Sequence, residues 1–188
     1  AEVDPADYDL RRLHAAVEHD IEALTAIWHR VKDIGPEDDA KLVRLKDLLA
    51  GPLKGKKVLI FSYYKDTERY LYRELAGETA RATAFLEAAG HPTVQWMDSG
   101  CHPQDRGRRI AAFAPTANGK PEIAGTDAEI DIMVSTDVLS EGQNLQDCAH
   151  LINYDLHWNP TRMVQRAGRI DRIGTPFDVL YIHNMFPD

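Results

Sequence analysis

Short apolar runs alternate with helical patterns along most of the chain, and this alternation is the feature that most constrains its fold. Five such runs occur after residue 57, and they are Val58–Phe61, Val94–Met97, Ile130–Val134, Leu151–Tyr154 and Val179–Ile182. They lack strict apolar–polar alternation, as parallel strands buried on both faces do. Helical spacing falls between them, at about 66–89, 105–113 and 160–172. The sequence therefore predicts a three-layer α/β domain with a mainly parallel central sheet.

The front of the chain carries helical patterns only. Apolar residues recur at threes and fours over about 7–33, and a second helix is predicted over 38–49. We therefore expect residues 1–50 to form an N-terminal helical extension or linker, and residues 51–188 to form the α/β domain. Residues 114–129 hold Pro, Gly, Asn and Asp without periodicity, which predicts an exposed loop.

Composition narrows the class of protein. The chain has 22 basic and 30 acidic residues and a net charge of −8, which argues against a surface uniformly coated for nucleic acid. Two local basic stretches, Lys54–Lys57 and Arg106–Arg109, can be either nucleic-acid contacts or solvated surfaces. The apolar runs are too short to span a membrane and none has the pattern of a secretory signal, so we expect neither feature. Two cysteines do not make a disulfide framework, so cytoplasmic localisation is expected.

Functional residues are expected at the carboxyl ends of the predicted strands, where ligands bind to sheets of this kind. Three segments follow strands in this way: Ser62–Tyr64, Ser135–Gln146 and Asp155–Arg172. The last of them contains the helix start Asn159-Pro160, in which Asn is a typical N-cap and Pro suits the first turn. A stripe of this helix can pack on the sheet, and its apolar members are Met163, Ala167 and Ile170.

A second stripe of the same predicted helix carries two guanidinium groups. Spacing at i, i+3, i+4 and i+7 places four residues on it, and they are Gln165, Gly168, Arg169 and Arg172. A guanidinium presents a planar fork of donors that fits phosphate oxygens, and such an arginine can add roughly 10³–10⁵ to the rate of phosphoryl transfer. By spacing alone, the two arginines could equally be surface residues in salt bridges.

The run Gln165–Arg172 (QRAGRIDR) resembles the sixth signature motif of superfamily-two helicases, Q-x-x-G-R-x-x-R. Its continuation into Ile173-Gly174 resembles the Swi/Snf-type branch, and bacterial helicase-like proteins, with the RNA-polymerase-recycling ATPase among them, have a similar run. The resemblance spans about residues 38–186. It implies a RecA-like lobe in which Arg169 and Arg172 meet the γ-phosphate of ATP, with Arg172 as the arginine finger.

Residues 135–146 resemble the fifth motif of the same family. The resemblance implies ATP contacts from Gly142 and Asn144, together with Gln165 and Gly168 of the sixth motif. Gly142 could take a positive φ and bring backbone amides near a phosphate or ribose. At the start of this segment, the hydroxyl and amide donors of Ser135 and Thr136 are candidate contacts to a nucleic-acid backbone. The alternative is a plain turn from strand to helix, and Glu141 departs from the small residue usual in the family.

Two further segments resemble nucleic-acid-binding parts of this family. Residues 57–67 are similar to the fourth motif, which makes Ser62 and Tyr63 candidate contacts to the strand, although the tyrosines could equally serve only in packing. Residues 98–113 are similar to a segment in which an arginine begins a helix that ends in phenylalanine. Arg106 occupies the arginine position and would contact a phosphate.

The elements that hold a nucleotide tightly are not recognised in this sequence. Residues 51–57 (GPLKGKK) have the wrong spacing for a phosphate-binding loop and precede a strand instead of following one. In the family, that loop and the magnesium carboxylates belong to the first lobe. The resemblance therefore implies that ATP and Mg²⁺ are held mainly by the N-terminal RecA-like lobe of the same polypeptide. We expect the isolated chain to be inactive. The Cys and His spacings fit no zinc pattern, so no metal site is expected.

Taken together, the resemblance implies the second motor lobe of an ATP-dependent nucleic-acid translocase. Double-stranded DNA is the expected partner, and a protein complex to be remodelled is a further one. The alternative is a non-enzymatic nucleic-acid-binding or regulatory module derived from such a lobe. An unrelated nucleotide-binding enzyme would need G-x-G-x-x-G after the first strand, where Ser62–Lys65 stands instead. Asp155–Trp158 is expected only to place the following helix, with Trp158 packed at the edge of the lobe.

Overall fold

The computed structural model describes residues 9–140 and 143–186. By its contacts the chain divides into two units, Ala1–Asp39 and Ala40–Asp188. The described part of the first unit contains one helix, α1, which spans Leu10–Val31 and agrees with the predicted helical spacing. Asp9 is its N-cap, because its carboxylate accepts two backbone N–H groups of the first turn at 3.2 and 3.1 Å.

The apolar residues of α1 form an exposed stripe. No residue of this helix is buried. Eight large apolar side chains are exposed along it, and they are Leu10, Leu13, Val17, Ile21, Leu24, Ile27, Trp28 and Val31. The periodicity therefore predicted the helix correctly, but the apolar face of this helix is exposed among the described residues.

The second unit begins with α2, which spans Ala40–Ala50. Leu42, Leu45 and Leu49 of this helix are buried in one apolar cluster with the sheet. By its packing, α2 therefore belongs to the α/β unit, whereas the sequence placed the end of the helical extension at residue 50. The difference arises because the apolar face of α2 is covered by the sheet itself.

Five parallel strands form the sheet, as the sequence predicted. They are β1 (Val58–Phe61), β2 (Val94–Met97), β3 (Ile132–Ser135), β4 (His150–Asn153) and β5 (Tyr181–Asn184). Their order is β2-β3-β1-β4-β5, and every neighbouring pair is parallel. All four residues of the central strand β1 are buried, which explains its uninterrupted apolar sequence.

Four more helices complete the unit, and they are α3 (Lys65–Ala76), α4 (Ala80–Ala89), α5 (Pro103–Phe113) and α6 (Pro160–Ala167). Successive residues of β1 point to opposite faces of the sheet, so they enter two separate cores. Val58 and Ile60 lie in a core with residues of α2, α3 and α4, whereas Leu59 and Phe61 lie in a core with residues of α5. The three-layer α/β prediction is therefore confirmed.

Helix α6 is shorter than its periodicity predicted. It ends at Ala167, and two turns follow, in which the N–H of Arg169 donates to the carbonyl of Arg166 and that of Ile170 to Ala167, both at 3.1 Å. Gly168 disfavours continuation of the helix, and the side chain of Ile170 is wholly buried in the core that contains α5. The expectation that Arg169 and Arg172 lie on one helical stripe with Gln165 is therefore wrong.

The segment between α5 and β3 is irregular and mostly exposed, as expected for residues 114–129. It contains one short 3₁₀ turn, Pro121–Ile123. Its start is fixed by Asp147, whose carboxylate accepts the N–H groups of Thr116 and Ala117 at 2.7 and 3.0 Å. Within the described ranges, none of the helices has the length and apolar character that crossing a bilayer requires.

Candidate functional site

Polar residues stand at the carboxyl ends of four neighbouring strands. Ser62 follows β1, Asp98 follows β2, and Ser135 and Asn153 end β3 and β4. All four are wholly buried. Because parallel strands end at the same edge of the sheet, these residues form one polar layer there, as expected for the functional edge of such a fold. A buried polar group costs stability unless it is hydrogen-bonded, so its partners decide what it can do.

The two serines of this layer are hydrogen-bonded within the unit. The Ser62 hydroxyl donates to Oδ2 of Asp155 at 2.6 Å. The Ser135 Oγ lies 2.9 Å from the carbonyl oxygen of Met97 and 2.8 Å from that of Thr136, and the Thr136 N–H also donates to Met97 at 3.2 Å. The hydroxyl groups of Ser62 and Ser135 and the backbone N–H of Thr136 therefore already have partners inside the fold.

Arg166 is a buried charged residue at this edge that the sequence analysis missed. Only 1% of this residue is exposed. Its guanidinium forms a two-point ion pair with Asp137, with Nε to Oδ1 at 2.6 Å and Nη2 to Oδ2 at 3.2 Å. Its Nη1 also donates to Oδ1 of Asn153 at 3.2 Å and to the carbonyl oxygen of Asp155 at 3.0 Å. The guanidinium lies over the ring of Phe61, with 5.1 Å from Cζ to the centroid.

A sequence signal for Arg166 did exist. It lies three residues after Met163 and four before Ile170, on the stripe predicted to face the sheet. A charged residue on an inward stripe needs a buried partner of opposite charge. Asp137, directly after the third strand, supplies that partner.

Arg172 is held by the loop that corresponds to the fifth motif. Its Nη1 donates to the carbonyl oxygen of Gln143 at 3.3 Å and to Oδ1 of Asn144. The carbonyl oxygen of Asn144 in turn accepts the amide of Asn118 at 2.9 Å. The structure thus brings two predicted ATP-site residues, Arg172 and Asn144, into contact. Both acceptors bind the same nitrogen of the guanidinium, Nη1.

The remaining predicted residues differ in exposure. Gln165 and Gly168 are exposed at the end of α6, and Arg169 is half-buried just beyond it. Arg106 is half-buried in α5, where its Nη2 lies 3.5 Å from the carbonyl oxygen of Cys101. Gly142, together with Glu141, lies outside the described residues.

Four aromatic side chains form a continuous row near this edge. Ring centroids are 4.9 Å apart for Tyr64 and Tyr63, 5.0 Å for Tyr63 and His157, and 5.6 Å for His157 and Trp158. Trp158 is 87% exposed, so the expectation that it packs at the lobe edge is wrong. Tyr63 and Tyr64 are exposed as well. We call Tyr64, Tyr63, His157 and Trp158 the aromatic row.

The two cysteines are buried and free. Burial raises the pKa of Cys148 to about 12, so its thiol stays protonated and is a poor metal ligand. The His, Cys, Asp and Glu side chains of residues 9–140 and 143–186 form no group of three or more that could hold a metal ion.

Comparison with protein families and sequences finds helicases. Residues 40–174 match the family described as the helicase conserved C-terminal domain. The chain is 34% identical over 129 residues to the ATP-dependent helicase YqhH of Bacillus subtilis. The matched region covers 69% of this chain and 18% of the relative. It is 35% identical over 125 residues to the RNA polymerase-associated protein RapA of Serratia proteamaculans, at 66% and 11% coverage. The chain thus spans less than a fifth of these relatives.

Comparison with solved structures supports the fold. The C-terminal part of the Fun30 ATPase domain matches with a TM-score of 0.55 at 23% identity, covering 77% of this chain and 40% of that one. Dbp5 of S. cerevisiae, bound to RNA and ADP BeF3, matches with a TM-score of 0.54 at 22% identity, covering 79% and 32%. At these identities the likeness shows a shared RecA-like fold.

Proposed function

Because the chain belongs to the helicase conserved C-terminal domain family, as a C-terminal lobe of the Swi/Snf-type branch of superfamily two, we propose that it is the second motor lobe of an ATP-dependent nucleic-acid translocase. In this role the lobe closes on a first lobe that holds ATP and Mg²⁺. It supplies arginine to the γ-phosphate and contacts the nucleic-acid backbone. ATP-driven closure would then move this contact along the strand.

The observation that carries this proposal is the contact between Arg172 and Asn144, at the edge where the fifth and sixth motif segments meet. A neutral amide is a weaker partner for a guanidinium than a phosphate oxygen, because the phosphate adds the attraction of opposite charges and can accept two parallel N–H groups. A γ-phosphate brought to this edge by a first lobe would therefore compete with Asn144 for Arg172. Arg169, one residue after Gly168, is the second candidate for the same phosphate.

Arg166 supports this arrangement as a positioning residue. Its ion pair with Asp137 joins the segment after β3 to α6. Both segments lead into the residues proposed to meet ATP, since Asp137 precedes the loop of Asn144, and Arg166 precedes Arg169 and Arg172. A rigid link between them keeps donors within the small tolerance that catalysis of phosphoryl transfer requires.

The cofactor would be divided between two lobes. The guanidinium groups of Arg169 and Arg172 fit the oxygens of a phosphate. The described residues gather no set of carboxylates for Mg²⁺. We therefore assign the metal and most of the nucleotide to the first lobe, and we expect the isolated chain to hydrolyse no ATP.

The nucleic-acid contact would involve the exposed aromatic row, Tyr63 in particular, together with Arg106 on α5. Double-stranded DNA is the proposed substrate, and a protein complex bound to it is the proposed object of remodelling. The name of the relative RapA makes RNA polymerase a candidate for that complex. The free, buried thiols of Cys101 and Cys148 support a reducing compartment such as the cytoplasm.

ATP hydrolysis tests the proposal in two polypeptides. The isolated chain is compared with a polypeptide in which the lobe follows a first motor lobe, with and without duplex DNA. The proposal expects no turnover from the isolated chain and DNA-stimulated turnover from the joined protein. Clear hydrolysis by the isolated chain, or none by the joined protein, contradicts it. The second outcome favours the alternative of a non-enzymatic module, in which the contact of Arg172 with Asn144 is purely structural.

A further inference from the structure

Two buried acids lie beneath two exposed cations where β2 ends and α3 begins. Glu68 and Asp98 are both wholly buried. Lys65 and Arg69 lie one turn apart on α3, and their side chains are 39% and 58% exposed. Both reach Oδ2 of Asp98, with Lys65 Nζ at 2.8 Å and Arg69 Nη2 at 3.6 Å. We call these four residues the α3 charge cluster.

The two acids have unequal surroundings. Asp98 accepts the N–H of Gly100 at 2.6 Å in addition to its two cations. Burial alone would raise the pKa of Asp98, but these hydrogen bonds and charges hold this pKa below its usual value. The backbone of Met97 lowers the pKa of Glu68, but neither Glu68 carboxyl oxygen makes a hydrogen bond of regular geometry within the described residues.

Glu68 is consequently disposed to hold a proton. Burial, followed by the negative charge of Asp98, raises the pKa of Glu68 to about 7. The charged groups that act on Glu68 are Asp98, which follows β2, and Lys65 and Arg69 on its own helix. The two cations lower this pKa, so any anion that neutralises them would raise it further.

We propose that Lys65 and Arg69 bind a phosphate of the nucleic-acid backbone, and that this binding is coupled to the uptake of one proton by the buried pair Glu68 and Asp98. The inference rests on the proposed function for its ligand. A phosphate draws the two cations away from Asp98, which leaves the two buried carboxyl groups without compensating charge. One proton, taken from solvent, then converts Glu68 to its neutral form. This removes the repulsion between the carboxylates.

The position of the cluster supports a phosphate as the ligand. Helix α3 begins just after Ser62 and Tyr63, at the functional edge of the sheet. Its N-cap, Tyr64, makes no side-chain capping hydrogen bond, and the N-terminal end of a helix favours an anion. Gly100 adds space, because a Cβ there would lie 3.0 Å from Lys65 Nζ.

The sign of the coupling follows from linkage. The complex binds more protons than the free chain at pH values between the pKa of Glu68 in the free chain, about 7, and its higher pKa in the complex. Affinity for nucleic acid therefore falls as pH rises through this window, by at most about tenfold per pH unit for one proton. Below the window the coupling disappears, because Glu68 is already neutral.

The test measures binding of the 188-residue chain to short labelled single-stranded and duplex DNA by fluorescence anisotropy, from about pH 6 to pH 8.5 at constant ionic strength. We expect Lys65→Gln and Arg69→Gln to weaken binding several-fold, whereas Arg44→Gln, an exposed charge-matched control on α2, has little effect. We expect Glu68→Gln to flatten the pH dependence. Melting temperatures of all variants are compared in parallel.

Calorimetry on the unaltered chain supplies a second measurement that needs no variant to fold. Binding heats in two buffers of different ionisation enthalpy report the protons taken up, and we expect uptake near pH 7.5 that Glu68→Gln removes. Binding without proton uptake, or uptake unchanged in Glu68→Gln, overturns the coupling. Binding that Lys65→Gln and Arg69→Gln leave unchanged overturns the site while sparing the proposed function. Absence of binding to either DNA overturns both.

Discussion

Arg166 and Asp137 form a buried two-point ion pair, with 2.6 Å from Nε to Oδ1 and 3.2 Å from Nη2 to Oδ2. The pair joins the segment after β3 to α6, and it lies at the edge where the other polar strand ends collect. Its guanidinium also satisfies Asn153 and the carbonyl oxygen of Asp155. One side chain thus forms hydrogen bonds with several groups at this edge of the sheet.

Replacing Arg166 should therefore destabilise the fold. We expect Arg166→Lys, which keeps the charge but loses the planar fork, and Arg166→Met to lower the free energy of unfolding by about 2–4 kcal/mol, since removal of one partner leaves the buried network incomplete. Urea denaturation followed by circular dichroism measures this. Arg162→Met on the exposed side of the same helix is the control. If Arg166→Lys lowers the free energy of unfolding no more than Arg162→Met does, the ion pair contributes little to stability.

Arg172 should be needed for hydrolysis by the joined two-lobe protein. We expect Arg172→Ala to lower turnover by roughly 10³–10⁵, equivalent to about 4–7 kcal/mol of barrier, while ATP binding persists. Steady-state ATPase assays and a fluorescent-nucleotide titration measure the two effects. Because Arg172 also contacts Gln143 and Asn144, the melting temperature of the Arg172→Ala protein is measured as well. Normal turnover in a folded Arg172→Ala protein would remove this residue from its proposed role.

Glu68 should make stability depend on pH. Its pKa is raised from 4.5 to about 7 in the fold, mainly by burial, so the native state binds more protons than the unfolded state between these values. Stability must then fall as pH rises from 4.5 to 7, and the loss is complete above 7. At pH 8 we expect the melting temperature of Glu68→Gln to exceed that of the unaltered chain by several degrees, since 1 kcal/mol corresponds to about 2–4 °C for a chain of this size. Near pH 4.5 the two melting temperatures should become similar. Glu87→Gln, exposed on α4, serves as the control, and an equal gain at both pH values would contradict this origin.

Trp158 should contribute to nucleic-acid binding without contributing to stability. At 87% exposure its loss uncovers no core, so the melting temperature of Trp158→Ala should stay unchanged. If the aromatic row stacks on bases, affinity for single-stranded DNA should fall by about 1–3 kcal/mol. Phe186→Ala removes another exposed aromatic ring, outside the row, as a matched control. Equal affinities for the two variants would exclude Trp158 from the contact.

Strand prediction was most accurate for the central strand. Val58–Phe61 is wholly buried and has the predicted bounds, because a strand covered on both faces needs an uninterrupted apolar run. Val94–Met97 also has its predicted bounds, although it is an edge strand with two half-buried residues. The last strand is Tyr181–Asn184 instead of 179–182, and it is a partly exposed edge strand that its own apolar pattern does not define. The end of α6 was missed because Ile170 continues the helical spacing although the chain has already turned.

The sequence by itself determined the α/β class, the order of its elements and the membership of a helicase family, because apolar periodicity and short motifs are local properties. Helical spacing alone could place Arg166 on the inward stripe, but only the tertiary structure decided which partners each arginine has. Arg166 and Asp137 are 29 residues apart, and Arg172 and Asn144 are 28 apart. Such pairs form when separate strand ends meet at one edge of the sheet. No local pattern specifies which distant residue becomes the partner of a charged group that is buried there.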